Sequence, residues 1–200
     1  MRLSFRYFSM ALALLFACTT GATTLVTNVS VSNLQGIENP GWGTVGTTGD
    51  YVGANVWGQM NGQSGGFGLN LATDNPLDPT FTLGNSLNNS SGFAWNNVVV
   101  DVSMSSLFTI SGVANTVPGD WGFTVTQPVA PIAGVYYGQI QFTAGTPVAT
   151  GSNFDFTYMV SFGGGPNFSF NEAVTVPEPT SLGLVGMGLL LAAYRQRLRK

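Results

Sequence analysis

Between Arg6 and Arg195 the chain has no lysine, no arginine and no histidine. Its six basic residues, Arg2, Arg6, Arg195, Arg197, Arg199 and Lys200, all lie at the two ends, and the single cysteine, Cys18, lies near the first. Charged residues of both signs make up only 8% of the 200 residues, against about a quarter in ordinary soluble proteins. Each absence removes a chemistry from the middle of the chain. Without histidine a Ser-His-Asp triad cannot form. Without lysine or cysteine there is neither a Schiff-base amine nor a thiolate nucleophile. Zinc sites built from His and Cys are excluded, and no guanidinium is present to clamp a phosphate. Nucleic acid is excluded as a partner, because affinity for it rests on basic side chains.

What remains is acidic and neutral. The carboxylates of the middle are Glu38, Asp50, Asp74, Asp78, Asp101, Asp120, Asp155 and Glu172. A pair of them can in principle run glycoside hydrolysis, but nothing in the sequence brings two together. The expectation is therefore a protein that is not an enzyme, with a secreted carboxylate-dependent hydrolase as the weaker alternative. Most of these acids read as solvated strand faces or turns, and Asp50 and Asp120 sit beside glycine as turn aspartates do. Asp74-Asn75-Pro76-Leu77-Asp78 places two carboxylates and an amide close together, a donor set that suits calcium. The same residues also read as a plain Asp-Asn-Pro turn, and no other cofactor is expected. Of the four tryptophans, Trp42 and Trp57 lie in glycine-rich surroundings. They are candidates for exposure and for stacking on sugar rings, with amides such as Asn96 and Asn97 as hydroxyl partners. Trp121, in phase with Phe123 and Val125, reads as core.

The two ends read as addresses. Arg2 and Arg6 precede an apolar run, Tyr7 to Ala17, followed by the small residues Thr19, Thr20, Gly21 and Ala22. The run is too short to span a bilayer and fits a secretory signal peptide over 1–22, cut after Ala22 by signal peptidase. Two other readings stand beside it: an uncleaved anchor, and lipidation of Cys18 in the rough lipobox Leu15-Phe16-Ala17-Cys18. At the far end, Pro177-Glu178-Pro179 precedes an uncharged run from Leu182 to Tyr194, then the basic tail. Leu182, Leu184, Val185, Leu189, Leu190 and Leu191 give the run its apolar character. As a helix it is about 20 Å long, short of a bilayer core of roughly 30 Å. The basic tail, Arg195, Arg197, Arg199 and Lys200, stays on the cytoplasmic side. The two prolines hold the stretch before the helix extended, presenting Glu178 at the outer membrane face.

This C-terminal arrangement resembles the PEP-CTERM sorting signal of Gram-negative bacteria. Pro177-Glu178-Pro179 matches its motif, Leu182–Tyr194 its short transmembrane helix and Arg195–Lys200 its basic end. The resemblance covers residues 176–200. It implies recognition by an exosortase at the inner membrane, removal of the helix, and export toward the cell surface or an exopolysaccharide matrix in biofilm-forming bacteria. A plain single-span anchor is the alternative.

Residues 23–175 read as one β-rich exported domain. Phe154, Phe156, Tyr158, Val160 and Phe162 alternate with polar residues, the signature of a half-buried strand. Val98, Val100, Val102 and Met104 form a second stripe; Trp121, Phe123 and Val125 a third; Tyr136, Ile140 and Phe142 a fourth. Weaker strands are expected at Leu25–Val31, Tyr51–Trp57, Phe67–Leu71, Phe81–Leu83, Leu107–Ile110 and Phe168–Phe170. Turns are expected at Asn39-Pro40-Gly41, Asn61-Gly62 and Pro118-Gly119-Asp120, and a long mobile loop region is the competing reading of glycine-rich Gly36–Gly68. The pattern argues an all-β fold, an antiparallel β-sandwich or jelly roll. The expected function is that of an exported surface or matrix protein with a structural or adhesive role, and the alternative is a carbohydrate-binding module, calcium-assisted or not.

Overall fold

The computed structural model describes residues 26–47, 50–73, 80–163 and 167–177. Eleven strands carry the fold: β1 (Val26–Gln35), β2 (Glu38–Thr47), β3 (Asp50–Met60), β4 (Ser64–Thr73), β5 (Thr80–Asn89), β6 (Trp95–Met104), β7 (Phe108–Val117), β8 (Gly122–Thr126), β9 (Tyr136–Val148), β10 (Asn153–Phe162) and β11 (Asn167–Thr175). There is no helix among the described residues. The all-β expectation holds.

The strands form one continuous sheet in the order β7-β10-β5-β3-β1-β4-β11-β6-β9-β8, with β2 added beside β3. The sheet curls until its two ends meet. At the meeting point the side-chain amide of Gln127, just past β8, acts as a surrogate strand. The Ile110 N–H on β7 donates to Gln127 Oε1 at 2.9 Å, and Gln127 Nε2 donates back to the Ile110 carbonyl at 2.6 Å. The result is a nearly closed barrel rather than the two packed sheets expected from the sequence. Alternation with period two fixes one buried face per strand. It is equally satisfied by two facing sheets or by one sheet curled on itself. One pairing also departs from the antiparallel expectation, since β3 runs parallel to β5, Gly53 opposite Thr82 through Met60 opposite Asn89.

The inward stripes meet in a single core. Phe154, Phe156, Tyr158, Val160 and Phe162 of β10 are all buried, as are Val98, Val100, Val102 and Met104 of β6. Ring centroids of Phe142 lie 5.4 Å from Phe154 and 5.3 Å from Phe156, and Trp121 packs 4.9 Å from Phe154. Tilted contacts at these separations suit the quadrupoles of the rings. Trp121 is buried as expected, its indole N–H donating to the Thr146 carbonyl at 2.8 Å. Phe123 is not core: it is 46% exposed. β8 begins only at Gly122, so Trp121 is a loop anchor and its burial does not set the phase of the strand after it. The outward residues of β10 are mostly polar, Asn153, Asp155, Thr157 and Ser161, with Met159 the apolar exception.

The stretch Gly36–Gly68, which also read as a long loop region, is instead β2, β3 and the first half of β4. Within it, Asn39-Pro40-Gly41 is no turn. The β2–β3 register shifts between Glu38 and Gly41, and Asn39 takes φ of 48° there. A bulge of this kind absorbs a residue that a regular ladder cannot hold. The weaker strands all exist and are longer than their apolar kernels. β2 takes most of the edge of β3, leaving β1 a single pairing with it, Val26 opposite Tyr51.

Candidate functional site: an aromatic ledge and a buried acid

Trp57 points outward from β3, and 45% of it is exposed. Directly across on β2 stands Gly41. A Cβ at Gly41 would lie 2.2 Å from the indole nitrogen of Trp57, and one at Gly43 would lie 3.8 Å from the far end of its six-membered ring. The indole therefore lies flat over two glycines on one face of β2. Any side chain at position 41 would lift it. Glycine leaves a bed of bare backbone, and close to half of the side chain stays open to water.

Beside this ledge runs a shallow groove of about 180 Å³ across β3, β5, β10 and β7. Strand register explains its lining. Trp57 pairs with Ser86, and Ser86 with Asp155, making one outward row. Asn55, Gly84 and Thr157 make the adjacent row. Gly84 leaves room for the Asn55 amide, whose oxygen would stand 2.2 Å from a Cβ there. Ser86 Oγ donates to Asp155 Oδ1 at 2.7 Å. An aromatic face next to hydroxyl, amide and carboxylate groups is the equipment needed to hold a sugar ring. One side of a pyranose is apolar C–H, while its edge is hydroxyl.

Trp42 is also exposed, at 41%. It stands opposite the inward-facing Val56, so it lies on the other face of the hairpin from Trp57. The two candidate tryptophans do not form one platform. Asn96 and Asn97 lie on β6, separated from β3 by β1, β4 and β11. Asp74 and Asp78, the calcium candidates, lie outside the described residues, as do 1–25 and 178–200. No group of three or more His, Cys, Asp or Glu able to hold a metal ion occurs among the described residues. Pro177 is described and exposed, immediately after the buried Val176.

The second unusual feature is internal. Glu172 was expected on a solvated face or turn, yet it is 3% exposed, inside the barrel. The Tyr158 hydroxyl and the Asn85 amide, the latter at 3.2 Å, both donate to its Oε2, while Oε1 is buried without a hydrogen-bond partner. Burial raises its pKa to about 7, although both hydrogen bonds pull the other way. Burial and the neighbouring carboxylate push the Tyr158 phenol well above its usual range, so it remains a donor. The signal for this cluster was in the sequence: Glu172 falls in phase with Phe168, Phe170 and Val174, all inward.

The other carboxylates with described side chains each have a separate partner. Asp101 accepts from Gln139 at 2.8 Å and Asp120 from the Thr146 hydroxyl at 2.6 Å, while Glu38 accepts from Asn61. The Thr146 hydrogen bonds hold the Asp120 carboxyl below its ordinary value.

No curated protein matches the chain. Residues 175–200 match the family model described as the PEP-CTERM protein-sorting motif, so the chain carries that motif, which implies exosortase-dependent sorting through the membrane to the cell surface.

Proposed function

We propose that this is an exported surface protein that adheres to extracellular polysaccharide and catalyses no reaction. In this reading signal peptidase removes 1–22, an exosortase removes the apolar tail, and the barrel remains at the surface or in the matrix. Glu172 is the one carboxylate among those described whose acidity is weakened, and it is buried in the core away from the groove. The observation that carries the adhesive reading is the Trp57 indole laid flat over Gly41 and Gly43 beside a polar groove. A large, rigid aromatic gives contact area at low entropic cost, and a groove edge of amide and hydroxyl groups supplies orientation.

The direct test is retention on the polysaccharide of the host itself. The full chain should be retained and Trp57→Ala should elute early, with the thermal midpoint unchanged because Trp57 is outside the core. Equal retention of both proteins, or of neither, would overturn the reading.

A further inference from the structure

The charge of the barrel restricts what the ledge accepts. Residues 7–194 hold no Lys, Arg or His, and Asp155 is part of the groove lining itself. The Asn115 amide donates to the Asp155 carbonyl at 3.0 Å, while its oxygen accepts from Gly119 N at 2.8 Å, so the backbone that carries Asp155 is held from β7. A uronic-acid polysaccharide laid on Trp57 would bring a carboxylate toward Asp155 with no basic side chain to offset it. Repulsion of that kind discriminates between ligands of similar shape.

Deepening the adhesive reading above, on which this inference rests, we propose that the Trp57 ledge takes polysaccharides whose rings carry no carboxylate, and that amino sugars are preferred there. One apolar ring face stacks on the indole. The ring edge meets Asn55, Ser86 and Thr157, and a protonated amine on the sugar pairs with Asp155. Ser86 already occupies Asp155 Oδ1, so the pairing uses the other carboxylate oxygen.

The test uses the full chain in mild detergent with three immobilised probes: chitosan, a neutral β-glucan and polygalacturonate, all with EDTA present. Chitosan and the β-glucan should retain the protein, and polygalacturonate should bind at least about tenfold more weakly. Trp57→Ala should lose about tenfold or more on both binding probes, while Trp57→Tyr keeps most of the affinity. Asp155→Asn should bring chitosan down to the level of the β-glucan and leave the β-glucan unchanged. That variant separates a local pairing from general attraction between an acidic protein and a basic polymer, because it removes only one of many acids. Retention on polygalacturonate equal to that on the β-glucan would overturn the charge inference and leave adhesion standing. Failure on all three probes and on the host polysaccharide would overturn adhesion itself. Binding that survives Trp57→Ala would put the site elsewhere.

Discussion

Glu172 occupies a position where a barrel interior ordinarily holds valine or phenylalanine, its own neighbours in phase being Phe170 and Val174. A carboxylate there loses its water and recovers only part of that cost from Tyr158 and Asn85. The folded chain thus holds a proton at pH values where the unfolded chain has released it. Between an ordinary value of 4.5 and the folded value of about 7, stability falls as pH rises, because the folded state binds more protons than the unfolded one. Above that window the penalty is fully present, on the order of 3 kcal/mol. The absence of histidine leaves this window free of the usual titrating side chain. Glu172→Gln keeps the shape and an acceptor for Tyr158 but removes the charge. It should be more stable than the parent by about 1–3 kcal/mol at pH 8 and similar to it at pH 5. Urea midpoints at the two pH values check this. A parent whose midpoint does not fall from pH 5 to pH 8 would sink the argument.

At the scale of elements, the joint between β7 and β8 is the weakest part of the wall, because one side chain replaces a ladder. Gln127→Ala should cost about 1–2 kcal/mol, since both hydrogen bonds go to the main chain of Ile110. It should also speed amide hydrogen exchange at Ile110 more than at Val100, which lies inside the sheet. Equal protection at both amides in the variant would mean that Gln127 does not close the barrel. The strands differ in how far the sequence revealed them. β6, β9 and β10 show clear alternation because one face is buried by the core and the other meets water. β2 reads as a loop because its local signals are overridden by one partner: its three glycines and Pro40 oppose strand structure, and pairing with β3 supplies it. Trp57 was legible as an exposed aromatic, but its bed was not, since that depends on the register bringing Gly41 opposite it. Glu172 was legible in phase and misread by residue type, because a carboxylate is seldom buried without a cation.

For the whole molecule, the boundary between barrel and sorting tail is sharp. Val176 is fully buried and its N–H donates to the Gln63 carbonyl at 2.7 Å, whereas Pro177 is exposed. The matched motif begins at residue 175, so its first two residues, Thr175 and the inward Val176, still belong to the barrel wall. The strand leading into it is not an edge strand. β11 lies between β4 and β6 and is hydrogen-bonded to both. Cutting downstream of Val176 therefore removes none of the described core, while losing Asn171–Val176 would remove buried Glu172, Val174 and Val176 and open the wall on both sides. Intact-mass measurement of the surface form from the host should find a C-terminus between Pro177 and Ser181 and an N-terminus at Thr23. Its thermal midpoint should equal that of the full chain within about 1 °C, since a mutation or cut that touches no packed group changes stability little. A chain truncated after Phe170 should fail to give a cooperative transition. An intact Arg195–Lys200 tail on the mature protein would instead make the motif a permanent tether, and an end upstream of Val176 would mean that processing cuts into the barrel.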